Sequence, residues 1–397
     1  MLSKKIQEAL AGSSAIRAMF IEGKELSAKY GAENVFDFSL GNPASPAPDS
    51  VREVIKTLAD QMSPLELHGY MDNSGFLDVR ETIAFDLNQR FLTSFAGSQI
   101  VMTVGAAGGL NILFKTLLDP GDEVVVFAPF FAEYRNYTNN FDAILVTVEP
   151  DRTDFQPNLA AFSDAVTAKT KIVLVNTPNN PTGVIYSDET LAGIGEILRE
   201  KEKEYGTTIY LVSDEPYREL IYDGETEKFL TKFYQNTIVG YSFSKSLSLP
   251  GERIGYLAVP EECEDADEIL QGLNIANRIL GFVNAPSLIQ KSVAMCIQEK
   301  TDLSFYDKNR ITLYEGLTRL GFECIRPKGA FYLWMKSPIE NEKEFIAAAK
   351  KYNIIMVSGA AFGCGGYVRL SYCIPHIQIL RSLKMFEQLA KDFSTDI

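Results

Sequence analysis

The strongest constraint on this chain is a rhythm. Short apolar runs rich in Val and Ile alternate with longer stretches of helical periodicity, and Gly, Pro or Asn stands at most of the junctions. Residues 99–103, 122–127, 143–148, 171–176, 209–213, 237–242 and 254–259 read as strands. Their apolar residues are nearly continuous rather than alternating, as expected of strands covered on both faces. Residues 105–118, 157–165 and 188–205 carry helical periodicity between them, with a Pro120-Gly121 turn. Strands alternating with helices predict a doubly wound, mostly parallel central sheet of the α/β class.

The flanks read differently. Residues 2–20 predict an amphipathic N-terminal helix, and residues 34–40 a short apolar segment ending in Gly41-Asn42-Pro43. Residues 50–61 and 76–91 are helical in period, as are 265–281, 286–299 and 303–320 beyond Pro260. Strands near 331–335 and 367–372 complete a smaller α+β unit. No repeat or linker interrupts the chain. The expected division is a large domain over 45–285 and a small domain assembled from 1–44 and 286–397.

Composition narrows the class. With 397 residues there is room for two or three domains with a large core. A net charge of −14 argues against nucleic acid or an anionic membrane as the main partner. No apolar run approaches the roughly 18 residues of a membrane helix. Met1-Leu2-Ser3-Lys4-Lys5 lacks the apolar centre of a secretory signal, and Glu8 with few arginines speaks against a transit peptide. Cys263, Cys296, Cys324, Cys364 and Cys373 are odd in number and form no C-x-x-C pair, which suits reduced thiols in a cytoplasm. His68 and His376 are the only histidines, so a histidine metal site or a Ser-His-Asp triad has little material. A cytoplasmic soluble enzyme is expected.

The polar strings after the strands carry the chemistry. Asn179-Asn180-Pro181-Thr182-Gly183, Asp214-Glu215-Pro216-Tyr217 and Ser242-Phe243-Ser244-Lys245 each follow a strand. Ligands of open α/β sheets collect beyond the carboxyl ends of the strands, so Asn180, Asp214, Ser242 and Lys245 should converge on one crevice. A desolvated lysine beside other cations has a lowered pKa and can bond a carbonyl carbon. Pyridoxal phosphate needs such an amine, a carboxylate for its ring nitrogen, and donors for its phenolate and phosphate. Plainer readings stand beside this one: a surface lysine, a helix-capping Asp214, an ordinary Asn180-Pro181 turn. Ser242-x-x-Lys245 also matches the S-x-x-K of acyl enzymes, but the S-D-N and K-T-G strings that go with it are absent.

With Gly251-Glu252-Arg253 and Tyr367-Val368-Arg369-Leu370-Ser371, these strings in this order resemble the class I/II aminotransferases of fold type I, nearly end to end. The resemblance implies pyridoxal 5'-phosphate as cofactor and amino transfer between an L-amino acid and a 2-oxo acid. Lys245 would hold the cofactor and move the substrate proton. Asp214 would pair with the ring nitrogen, while Asn180 and Tyr217 would donate to the ring phenolate. Gly105, Ala106 and Ala107 match the phosphate loop at a helix start, without the usual hydroxyl, leaving Ser242, Ser244 and Arg253 to supply donors. Phe131 matches the aromatic stacked on the ring, and is otherwise ordinary core. Tyr70 matches a tyrosine that reaches the neighbouring subunit's phosphate, which implies a homodimer with shared sites.

Arg369 would clamp the substrate carboxylate, since arginine presents a planar fork, with a structural ion pair as the alternative. Gly41 matches the loop that closes over the substrate. A distal carboxylate needs a second cation. The lysine found at the Ala107 position in one subgroup is missing, leaving Arg278 and Arg17 as candidates, either of which could equally be an ordinary ion-pair partner. Glutamate and 2-oxoglutarate are expected as one half of the reaction. The same fold also hosts C–S lyases and non-catalytic regulator domains. The latter carry an N-terminal DNA-binding domain, for which the roughly 30 residues before the fold begins, in an acidic chain, offer little. Trp334 and His376 read as structural.

Overall fold

The structure, a computed structural model, describes residues 2–11 and 15–393, with the side chains of 8, 9, 11, 15–18 and 20 outside the description. Its centre is a seven-stranded sheet. From edge to edge the order is Ile100–Thr103, Gly255–Ala258, Thr237–Ser242, Tyr210–Asp214, Thr170–Asn176, Glu123–Phe127 and Ile144–Val148. Only Gly255–Ala258 runs against the rest. Side chains alternate between the faces as the pleat demands. Val124, Val126, Ile172, Leu174 and Val212 enter one apolar cluster, while Val125, Phe127, Val173, Val175 and Leu211 enter another. Both faces are covered, which is why these strands read as continuous apolar runs.

Helices close the crossovers with ordinary end chemistry. In Asp188–Tyr205, Ser187 accepts from the Thr190 N–H, and Gly206 takes the left-handed cap at φ 68°. The expected N-terminal helix is two helices, Lys4–Ala11 and Ala15–Tyr30, on either side of undescribed residues. The helix read over 286–299 stops at Met295, and Glu342–Lys350 and His376–Asp392 are further helices. Among the described residues no helix is long and apolar enough to cross a membrane.

The smaller sheet is antiparallel, in the order Val357–Ser358, Tyr367–Ser371, Tyr332–Lys336, Cys324–Ile325. Phe36–Asp37 pairs in parallel with Ile354–Ile355, and the Ser371 N–H donates to the Phe38 carbonyl at 2.9 Å. The N-terminal segment 36–41 therefore lies against the C-terminal strands and meets the carboxyl edge of the large sheet.

Candidate active site

A cavity of about 300 Å³ opens at that carboxyl edge, a size suited to a small ligand. Lys245 enters it from the short helix Phe243–Ser246, whose first turn is capped by Ser242 accepting from the Ser244 N–H. Lys245 Nζ donates to the Gly41 carbonyl at 2.7 Å and lies 5.3 Å from the centre of the Phe331 ring. Burial lowers its pKa to about 8, with Arg253 and Arg369 pushing the same way and Cys373 opposing. It is a half-buried, partly neutral amine rather than a surface lysine. A Cβ on Gly41 would strike the Tyr332 hydroxyl, so glycine is what the close approach of this loop allows.

Asp214 ends the strand Tyr210–Asp214 and is 4% exposed. Tyr134 donates its hydroxyl to Oδ2 at 2.5 Å, while Oδ1 has no partner among the described residues. Burial raises the carboxyl to about 7, Tyr134 opposes the rise and Glu215 adds to it. No helix begins after Asp214, so the capping role does not apply. The neighbouring acid Glu215 is held in a buried pair with Arg218 and accepts from Ser213.

Arg369 is 3% exposed, between the rings of Tyr332 (4.5 Å) and Phe362 (4.7 Å). It donates to Asn180 Oδ1 at 2.9 Å and to the Ser39 carbonyl at 2.6 Å, and its Nε has no partner among the described residues. Burial lowers its pKa. Among the described residues no carboxylate lies within ion-pair distance, so the structural salt bridge is not formed. Accepting from Arg369 through Oδ1 leaves the Asn180 amide nitrogen without a hydrogen bond among the described residues. Tyr217 shares a 2.9 Å hydrogen bond with Tyr332.

At the far end Gly105 (φ +75°) opens the helix Gly105–Leu117, and Ala106 and Ala107 line the cavity with that helix's unpaired amides. A Cβ on Gly105 would come within 2.7 Å of an Arg253 nitrogen. Ser242 Oγ and Ser244 Oγ lie 2.6 Å apart at the same end. Phe131 also lines the cavity, edge-on to Tyr134 with ring centres 5.5 Å apart.

Two of the expected residues do not line this cavity, and a third has a side chain outside the description. Tyr70 is 95% exposed on a separate face, Arg278 is exposed on the helix Ala266–Ile279, and the side chain of Arg17 lies outside the described residues. Tyr134, Tyr137, Tyr332 and Ser39 join the site without having been singled out. Tyr134 stands three residues after Phe131 in the same short segment, which was the signal available for it.

The arrangement fits pyridoxal phosphate on observations of this chain. Asp214 Oδ1 is a buried acceptor lacking a cation, a partly neutral lysine faces the same cavity, and unpaired helix amides stand beside Arg253. The fold and these groups define a pyridoxal-phosphate enzyme. The model of the family "Aminotransferase class I and II" matches residues 33–384, and the chain belongs to that pyridoxal-phosphate-dependent family. An aminotransferase structure from Eubacterium rectale is similar at 43% identity, covering 99% of both chains with a TM-score of 0.96. A probable aspartate/prephenate aminotransferase of Thermus aquaticus is 31% identical over 88% of this chain and 90% of its own. The Thermus thermophilus aspartate aminotransferase with maleate superposes at a TM-score of 0.87, with 26% identity, over 98% of this chain and 99% of that one. The protein is a transaminase acting on amino acids and 2-oxo acids.

Proposed function

We propose that one half of the reaction interconverts glutamate and 2-oxoglutarate, in a homodimer whose subunits complete each other's sites. The observation that carries the site reading is Arg369: a buried guanidinium facing the cavity with no carboxylate of its own. Such a cation is costly unless a ligand anion meets it, and its fork matches an α-carboxylate.

When bound, pyridoxal phosphate supplies an aldehyde for amine exchange and a ring that withdraws electrons from the substrate Cα. The remaining work falls to the chain. Lys245 would hold the cofactor, and its released Nζ would take the Cα proton; burial lowers its pKa from 10.5 to about 8, which raises its neutral fraction near pH 7. Asp214 would hold the ring nitrogen's proton, with Tyr134 orienting the carboxylate. Asn180 and Tyr217 would donate to the phenolate, and Arg369 would orient Asn180 while binding substrate. Phe131 would cover the ring face, and Gly41 would close the substrate side. Ser242, Ser244, Arg253 and the amides of Gly105, Ala106 and Ala107 would hold the phosphate.

The dicarboxylate reading is supported by relatives named for aspartate, and by the Thermus thermophilus enzyme solved with maleate, itself a dicarboxylate. Lys245, Arg253 and Arg369 are the cations this chain puts in the cavity among the described residues, and each has a role above. The distal carboxylate therefore needs Arg278 of a second subunit, or Arg17. Asn73 Nδ2 donates to the Val283 carbonyl at 2.9 Å and Asn284 Nδ2 to the Asp72 carbonyl at 2.7 Å, joining the Tyr70 loop to the segment just beyond Arg278. Leu65, 89% exposed, and Tyr70 give this region an apolar character that a second copy would cover. The two-unit division belongs to the same proposal. Its large unit spans 45–285 and its small unit 1–44 with 286–397, and Ile289, Val293 and Cys296 pack across that division with Val79 and Met102.

Glutamate should convert the bound cofactor to its amine form with one equivalent of 2-oxoglutarate, and sedimentation should show a dimer. Arg278→Ala should lose glutamate efficiency by about 30-fold while alanine is nearly unaffected. Equal losses for both, or none, would remove Arg278 from the proposal. An active monomer would remove the shared site.

A further inference from the structure

The phosphate end of the cavity is short of side-chain donors. Residues 105–109 are Gly-Ala-Ala-Gly-Gly, so that helix start offers amides alone. Ser242 Oγ accepts from the Ser244 N–H and lies 2.6 Å from Ser244 Oγ, so one of the two serine protons is spent between them. Arg253 already gives NH1 to the Pro250 carbonyl at 3.0 Å. A phosphate monoester presents three oxygens, each able to accept more than one hydrogen bond.

Tyr137 stands beside this gap. It lies on the helix Tyr134–Asn139, three residues after the tyrosine that binds Asp214, and so on the same side of that helix. Its ring packs in the cluster that contains Leu110, one turn into the helix Gly105–Leu117. Two amide links join these helices: Asn140 Nδ2 donates to Asn111 Oδ1 at 2.9 Å, and Asn111 Nδ2 to the Ala107 carbonyl at 2.9 Å. Tyr137 lines the cavity together with Ala106, Ala107 and Arg253, and its hydroxyl makes no hydrogen bond among the described residues. Burial raises the phenol's pKa, with Glu133 and Asp214 adding and Arg253 opposing, so the group remains a neutral donor.

We propose that the Tyr137 hydroxyl donates to the cofactor phosphate, supplying from the helix Tyr134–Asn139 the side-chain donor that Ala106 and Ala107 lack. The inference rests on the reading that puts the phosphate at the start of the helix Gly105–Leu117. It makes Tyr137 a cofactor-binding residue whose effect is on affinity.

The test uses Tyr137→Phe, which keeps the ring packing, with cofactor dissociation measured by titration of the apoprotein and the bound phosphate observed by ³¹P NMR. The expected result is a rise in Kd of about tenfold or more, since the lost bond is to a charged group, together with a shifted ³¹P resonance. Ala107→Ser in the Tyr137→Phe background should recover part of the affinity by placing a hydroxyl on the loop. A Kd within about twofold and an unmoved resonance would overturn the proposal, as would a rise confined to the amino-acid KM. Ser244→Ala separates the two readings. If it weakens cofactor binding while Tyr137→Phe does not, only the Tyr137 inference fails. If both are silent, the phosphate placement fails with it.

Discussion

The sheet has a cavity at each edge, and the larger one is not the site. At the edge opposite Lys245, a groove of about 490 Å³ runs between Phe91, Phe95, Tyr234 and Pro260. Its charged residues, Arg199, Lys232, Glu261 and Glu262, are all exposed to water. The carboxyl-edge cavity is smaller, yet it holds a buried carboxylate with an unpartnered oxygen and a buried guanidinium without an acid. Water screens the first set, while the protein interior leaves the second in need of ligand charges. The difference follows from strand direction. Asn176, Asp214 and Ser242 end their strands at one edge, and the reversed strand Gly255–Ala258 starts there, delivering Arg253. Unsatisfied buried charge, not volume, marks the functional edge.

That contrast can be broken by substitution. The largest effect expected is at Lys245→Ala, where transamination should fall by about 10⁴-fold, the upper range for losing a positioned base. Asp214→Asn comes next, with a loss of roughly 10²- to 10³-fold in kcat, typical of a removed electrostatic group. It also has a stability signature. In the apoprotein Asp214 keeps its proton up to about pH 7, while the unfolded chain releases its own near 3.8. The folded state therefore loses stability as pH rises across that window. Asp214→Asn should flatten the slope, and so should bound cofactor, whose ring cation restores the charged form. Thermal melts of apo, holo and variant proteins from pH 4 to 7 check this; a holo slope equal to the apo slope would deny the pairing.

Arg369→Gln should cost at least about 30-fold in kcat/KM through the amino-acid KM, as expected when one member of a buried charge pair is truncated. The smallest effects belong to the other edge. Lys232→Ala and Glu261→Gln should change kcat/KM by less than about threefold, as for surface positions generally. A large loss there would erase the contrast between the two cavities.

Strand positions were legible because burial on both faces leaves uninterrupted Val and Ile runs. The site was legible where a polar string followed such a run, as with Lys245, Asp214 and Asn180. Arg369 stood out as a lone charge in an apolar strand. Tyr134 and Tyr332 were not legible, because their roles depend on elements remote in sequence: Tyr134 meets a carboxylate 80 residues away, and Tyr332 roofs an arginine of the neighbouring strand. Tyr70 and Arg278 are exposed and are not among the described residues lining the carboxyl-edge cavity.

The central claim is that Lys245 is the amine that holds the cofactor in this cavity. Borohydride reduction of the holoenzyme, followed by digestion and mass mapping, tests it directly. The account predicts the reduced cofactor on the peptide containing Ser242-Phe243-Ser244-Lys245, with no such label in Lys245→Ala. Stoichiometric label on any other lysine would contradict it.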